Sequence, residues 1–235
     1  MSSPLGVVVT DIRRGDADVI ARLAEHGVAT VHEAQGRVGL VGPGIRPIQQ
    51  GARIGGSAVT VLSWPGDNLM IHAAIEQCEP GDVLVVATTS GSTDGAFGDL
   101  FATALKARGV VGLVTETGVR DTADLREMDF PVWSNGVHSQ GTVKATAGSV
   151  NVSVTVSGQA IRPGDVVVAD DDGIVCVPRD EAAVALEKSD ARVAKEDADR
   201  EAYGSGAELS LDRKGLRATL EGLGVRYMSQ EEYGR

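Results

Sequence analysis

Apolar runs separated by glycine and proline organise the first two-thirds of the chain. In residues 16–25, Val19, Ile20 and Leu23 share one face at helical spacing and Gly27 follows as a stop, which predicts an amphipathic helix. Residues 28–37 lead into a glycine- and proline-rich stretch to Pro47 that must be loop. A β-like run over 54–62 precedes a helix over 68–77, and Pro80-Gly81 returns the chain to strand. Residues 82–88 and 109–115 are nearly continuous apolar runs that read as buried strands, with a helix over 100–108 between them. A short helix over 122–128 and a strand over 131–134 follow.

Between residues 150 and 178 the pattern changes to period two with β-branched residues, which predicts antiparallel strands. Their turns fall at Gly158, at 162–165 and at 170–173. Asp180 is placed to cap a long polar helix running to about Tyr203, with a second helix near 214–220. Basic and acidic residues interleave along the long helix and its apolar stripe is thin, so it is expected to pack on a neighbouring subunit. The pattern as a whole predicts an α/β core over 1–179 and a helical extension over 180–235.

Composition narrows the partners. The 235 residues are 42% hydrophobic, enough for a substantial core, and no internal repeat is evident. A net charge of −11 without clustered Lys and Arg argues against nucleic acid. No apolar run is long enough to span a bilayer and the first residues lack a signal-peptide pattern, so a cytoplasmic protein without membrane association is expected. Cys78 and Cys176 stand singly and read as buried thiols, and the four histidines show no zinc-binding spacing. The acidic turn 170–173 lacks the alternating ligands of a calcium loop and reads as a hairpin turn.

Candidate chemistry is concentrated at Asp99 and, after twenty intervening residues, the pair Arg120-Asp121. Each lies where an apolar strand gives way to a loop or helix, and such ends of neighbouring strands form one crevice in an α/β sheet. The two carboxylates could converge on a divalent cation, with Arg120 beside them for an anionic group or developing oxyanion. Amides of the helix start at Gly98, Asp99, Leu100 and Phe101 could receive a carboxylate. The same residues also fit an ordinary solvated charged face; their placement beside Gly98 and Gly118 favours a site.

Several stretches in order resemble one family over nearly the whole chain: Gly27-Val28-Ala29-Thr30-Val31-His32-Glu33-Ala34-Gln35-Gly36-Arg37, Gly98-Asp99-Leu100, Gly118-Val119-Arg120-Asp121, Phe130-Pro131-Val132-Trp133-Ser134, Gly141-Thr142-Val143-Lys144 and the segment 163–173. They resemble the class II pyruvate aldolases of protocatechuate and gallate degradation, the 4-carboxy-4-hydroxy-2-oxoadipate and 4-hydroxy-4-methyl-2-oxoglutarate aldolase family. The resemblance implies an α-β-β-α sandwich shared with the regulator of ribonuclease E activity A, assembled as homotrimers that pair into homohexamers. It implies retro-aldol cleavage of 4-carboxy-4-hydroxy-2-oxoadipate to pyruvate and oxaloacetate, with oxaloacetate decarboxylation as a second activity.

For the site, the resemblance implies Mg²⁺ or Mn²⁺ held directly by Asp121, with Asp99 acting through a water. Arg120 would contact the ketone oxygen, and the substrate carboxylate would lie on the amides of Gly98, Asp99, Leu100 and Phe101. Glu196 of the long helix, with Glu201 as its rival, would reach the metal's waters from an adjacent subunit. Glu33 and Arg37 would either meet distal carboxylates or pair with each other, His32 reads as structural, and Thr142 and Lys144 match without an implied role. Two other readings remain open: a regulator-type binding protein of the same fold without chemistry, and an aldolase or decarboxylase for another 2-oxo acid. A methyltransferase is disfavoured because no glycine-rich nucleotide loop follows an early strand.

Overall fold

Strand residues alternate between two sides of one sheet, and each side meets a different apolar layer. The computed structural model describes residues 6–234 and forms two compact units, Met1–Asp190 and Ala191–Arg235. In the first unit the helices α1 (Ala17–His26) and α2 (Val28–Ala34) precede β1 (Arg46–Pro47), β2 (Ile54–Ser63), α3 (Leu69–Ile75) and β3 (Asp82–Thr88). Next come β4 (Gly95–Phe97), α4 (Asp99–Ala107), β5 (Gly112–Val119), α5 (Thr122–Glu127) and β6 (Val132–Val137). The short strands β7 (Ser149–Val150), β8 (Val154–Val156) and β9 (Gln159–Ile161) lead to the hairpin of β10 (Val166–Asp170) and β11 (Gly173–Val177).

The main sheet runs β1-β6-β5-β3-β2-β10-β11, with β4 on β5 and β7 on β2. Its centre, β2-β3-β5-β6, is parallel, and β10 joins antiparallel to β2. Val59, Val61, Leu84, Val86, Leu113 and Val132 face outward into the layer of α3, α4 and α5. Their neighbours Ala58, Val83, Val85, Val114 and Trp133 face inward, against Val167, Ala169, Ile174 and Cys176 of the hairpin. The far side of that hairpin carries α1, α2 and Ala182, Ala185 and Leu186 of the following helix. The order of layers is therefore α-β-β-α, with one sheet curled so that its two ends face each other. Trp133 of β6 closes the curl: its indole N–H donates to the carbonyl of Asp170, at the end of β10, at 2.8 Å.

Several expectations shift for local reasons. The strand expected over 109–115 is displaced to β5 because Gly109, at φ +77°, and Val110 close the end of α4 by donating to Lys106 and Leu105. The strand then runs on through the polar Thr115 and Thr117. The period-two run from Val150 to Val156 is broken at Asn151, whose φ of 56° turns the chain between β7 and β8. Asp180 does not cap the long helix; it lies in a 3-10 turn, Arg179–Glu181, paired with Arg179 at 3.1 Å, and α6 (Ala182–Gly204) starts beyond it. Strand β4 has three residues, too few to carry a pattern.

In the second unit, the single helix expected over 214–220 is two short ones, α7 (Ser210–Arg213) and α8 (Arg217–Gly222), followed by α9 (Gln230–Tyr233). Gly215, at φ +64°, separates α7 from α8. Among the described residues no helix is long and apolar enough to cross a membrane.

Candidate active site

Two chain crossovers build the site. Strand β4 ends at Phe97, whose carbonyl accepts the Arg120 amide at 2.9 Å, so the start of α4 lies directly beside the end of β5. Asp121 stands at the head of α5 in the left-handed region, φ 54°, and its side chain makes no capping bond to its own helix. Its Oδ2 instead accepts the Asp99 amide at 3.4 Å and lies 3.5 Å from Nε of Arg120. A left-handed aspartate costs about 1 kcal/mol or more, and such strain persists where the surroundings over-determine it. Gly98 permits the approach: a Cβ there would stand 2.2 Å from Oδ2 of Asp121.

Gly98, Asp99, Leu100, Phe101, Arg120 and Asp121 line one cleft of about 190 Å³. That volume suits a small organic acid rather than a dinucleotide. The first turn of α4 opens into it: the Asp99 amide donates to the Asp121 carboxylate, and Gly98 supplies no side-chain cap to the amides of Leu100 and Phe101, a polarity that favours an anion. Phe101 forms part of the wall, stacked on Phe97 at 5.7 Å and tilted against His72 at 4.6 Å between ring centroids.

Three further polar residues line the cleft without having been singled out for it: Asn68, His72 and Lys144. Asn68 is buried and donates from Nδ2 to the Ala96 carbonyl at 3.0 Å, while its Oδ1 has no partner. His72 rides on α3, and burial, then the nearby Lys144 ammonium, push its imidazole below the usual histidine range. Lys144 arrives on a loop pinned by Asp67, whose carboxylate accepts the amides of Leu69, Ala145 and Thr146, each at 2.8 Å. Burial works against that charge, but the three amides outweigh it and hold the Asp67 carboxyl below the ordinary range. The stretch 141–144 carried a sequence signal for this wall, without a role attached to it.

The donor set fits a hard divalent cation. Asp121 and Asp99 supply only oxygen, and the Asp121 carboxylate is held off its own helix and toward the cleft. No cluster of three or more His, Cys, Asp or Glu suited to a metal occurs among the described residues. An ion here would thus take one or two protein oxygens and complete its shell with water and substrate, as Mg²⁺ commonly does.

Other candidates lie elsewhere. Glu33 pairs with Arg37 at 3.0 Å on the α2 turn, and neither lines the cleft. His32 Nδ1 lies 3.2 Å from the Val38 carbonyl. In the second unit Glu196 holds Arg192 at 2.8 Å and Arg200 at 3.1 Å, and Glu201 is exposed. Cys78 and Cys176 are free and buried; burial first of all raises both thiols, Cys78 to about 12, which leaves them inert at neutral pH.

A family model described as RraA-like, Aldolase/RraA, matches residues 17–176. A Burkholderia multivorans protein provisionally named 4-hydroxy-4-methyl-2-oxoglutarate aldolase is 35% identical over 142 residues, covering 60% of this chain and 86% of that protein. A Halalkalibacterium halodurans protein of the same provisional name is 32% identical over 130 residues, 55% of this chain, and the chain spans 62% of that relative's length. Streptomyces coelicolor RraAS2, described as an unusual member of the RNase ES inhibitor RraA protein family, superposes with a TM-score of 0.70 at 28% identity, covering 81% of this chain and 99% of that one. Every residue of the cleft falls inside the matched span, and the chain belongs to the RraA-like Aldolase/RraA family.

Proposed function

We propose that the protein is a divalent-metal-dependent class II aldolase that cleaves 4-carboxy-4-hydroxy-2-oxoadipate to pyruvate and oxaloacetate, and that it also decarboxylates oxaloacetate. The observation that carries this reading is the convergence of Arg120, Asp121 and the first turn of α4 on one small cleft, with Gly98 leaving room for the Asp121 carboxylate. The names of the curated relatives, 4-hydroxy-4-methyl-2-oxoglutarate aldolases, support the aldolase part of it.

In this reading the amides of Gly98 to Phe101 hold the C1 carboxylate of the substrate. Asp121, with Asp99 through a water, would hold Mg²⁺ or Mn²⁺, which supplies Lewis acidity toward the 2-oxo group. Arg120 meets the ketone oxygen, where negative charge grows as the C3–C4 bond breaks, and its guanidinium stays charged throughout. The bonding pair passes into the pyruvate enolate while the C4 hydroxyl gives its proton to the water that Asp99 positions and its oxygen becomes the carbonyl oxygen of oxaloacetate. Asp99 positions a water that returns a proton to C3. Loss of CO₂ from oxaloacetate gives the same enolate, so one set of residues serves both reactions. Glu196, or Glu201, would complete the site from an adjacent subunit of a homotrimer or homohexamer.

A pyruvate-release assay on 4-carboxy-4-hydroxy-2-oxoadipate and on oxaloacetate, before and after chelation and with Mg²⁺ restored, tests this directly. Turnover of both that falls on chelation and returns with Mg²⁺ is expected; no turnover, or turnover indifferent to metal, removes the reading. The likeness to RraAS2 keeps a second one alive, a binding protein that restrains a ribonuclease, and inactivity of the metal-loaded chain on both acids would favour it.

A further inference from the structure

Within the cleft just described, the pyruvyl half of a substrate has its partners on one wall, at Arg120 and the head of α4. The loop that carries residue 144 brings a second cation to the same cleft. Lys144 lines the cleft, and among the described residues no carboxylate pairs with it. Its backbone is fixed on both sides: Val143 donates to the Gly66 carbonyl at 2.9 Å, Asn68 donates to the Val143 carbonyl at 3.0 Å, and Asp67 takes the next two amides. With the backbone held, only the rotamers of the side chain itself remain to be ordered when an anion binds.

We infer that Lys144 is the specificity residue for the departing half of the substrate, receiving the carboxylate carried on C4 of a 4-hydroxy-2-oxo acid. The placement rests on the aldolase reading for the identity of the acid and on the geometry for the anion site. Surrounding groups leave Lys144 as the positive charge there: His72 beside it is held neutral at pH 7 by burial and by Lys144 itself, Asn68 is uncharged, and Phe101 is apolar. An ammonium is a compact point charge on a flexible stem, so it accepts a carboxylate without demanding bidentate geometry. Arg37, the sequence-based alternative for a distal carboxylate, is tied to Glu33 outside the cleft.

The test compares kcat/KM for two 4-hydroxy-2-oxo acids that differ only in carrying a carboxylate or a methyl group at one position on C4. Lys144→Met is expected to lower the preference for the carboxylate at least about tenfold through KM, and Lys144→Arg to retain most of it. An unchanged preference in Lys144→Met overturns the assignment. A binding measurement keeps the two readings separable: calorimetry of propane-1,2,3-tricarboxylate on the Mg²⁺-loaded full chain should weaken about tenfold in Lys144→Met and recover in Lys144→Arg. Equal affinity in wild type and Lys144→Met counts against the inference. Lysine-dependent binding by a protein that turns over neither acid would retain the anion site while removing the aldolase reading.

Discussion

The two units of the chain are organised by different forces. In the first, strand residues alternate into two apolar layers, and charges that enter the interior are bonded there. Asp82, 1% exposed, holds Arg14 at 2.9 Å, and Asp170 receives the Val28 amide at 2.9 Å. In the second, Asp199 is the one buried residue among those described, joined to Lys214 and, at 2.5 Å, to Arg213. Leu209, Leu223, Tyr227 and Tyr233 are exposed there. A catalytic constellation requires positions held to a fraction of an ångström, and only the first unit has the packing for that. The second has the character of a segment that takes its order from charge pairs and from a covering surface, in keeping with the proposed neighbouring subunit.

The largest expected effects fall on the site and leave the first unit folded. Arg120→Ala and Asp121→Ala should each reduce pyruvate release about a thousandfold or more. Gly98→Ala is the sharper experiment, because the added methyl reaches no apolar core and meets the Asp121 carboxylate instead. A loss of at least about a hundredfold with an almost unchanged melting temperature is expected; near-wild-type turnover would show that the carboxylate position is not needed.

Trp133→Ala addresses the packing side of the comparison. The indole is fully buried and its N–H joins β6 to the end of β10, so its removal loses both apolar burial and the bond that closes the curl. Destabilisation of about 4 kcal/mol is expected from urea unfolding. A loss below about 1 kcal/mol would mean that the curled sheet does not depend on this bridge.

How far this organisation was legible depends on the range of the contacts. Strand β3 was readable over its full length, Asp82–Thr88, because a short apolar run between Gly81 and a polar tail has one interpretation. Gly98, Asp99, Leu100, Phe101, Arg120 and Asp121 were readable together because one helix and one strand between Asp99 and Asp121 return the chain to the same edge. Lys144 and His72 were not, since their approach depends on Asp67 binding the Ala145 amide 78 positions away. No local pattern encodes such a bond. The curl was equally hidden, because Trp133 reads as a strand residue whatever its N–H contacts.

Acid and salt should separate the two units next. Hydrogen bonds first from Lys214 and then from Arg213 hold the Asp199 carboxyl down to about 2. A carboxyl lowered on folding contributes stability that is present above its unfolded value near 4 and lost as pH falls through the folded one. Amide protection across 191–214 should therefore fade between about pH 4 and 2, and earlier in Asp199→Asn or in about 1 M salt, while β3 and β5 stay protected. Simultaneous loss in both units, read by hydrogen exchange, would erase the distinction between them.

Arg37→Ala should have the smallest effect, and its smallness is informative. Arg37 is 73% exposed and bonded to Glu33 four residues earlier, an arrangement that contributes about 0.5 kcal/mol or less. If the pair only fastens the turn after α2, the variant keeps its KM for a 4-carboxylated substrate and shifts its melting temperature by about a degree or two. A raised KM with unchanged stability would instead bring Arg37 into a substrate site from another copy of the chain. The dependence on a neighbour proposed for the second unit would then extend to the first, and Lys144 would share the distal carboxylate with a residue that the isolated fold keeps apart from it.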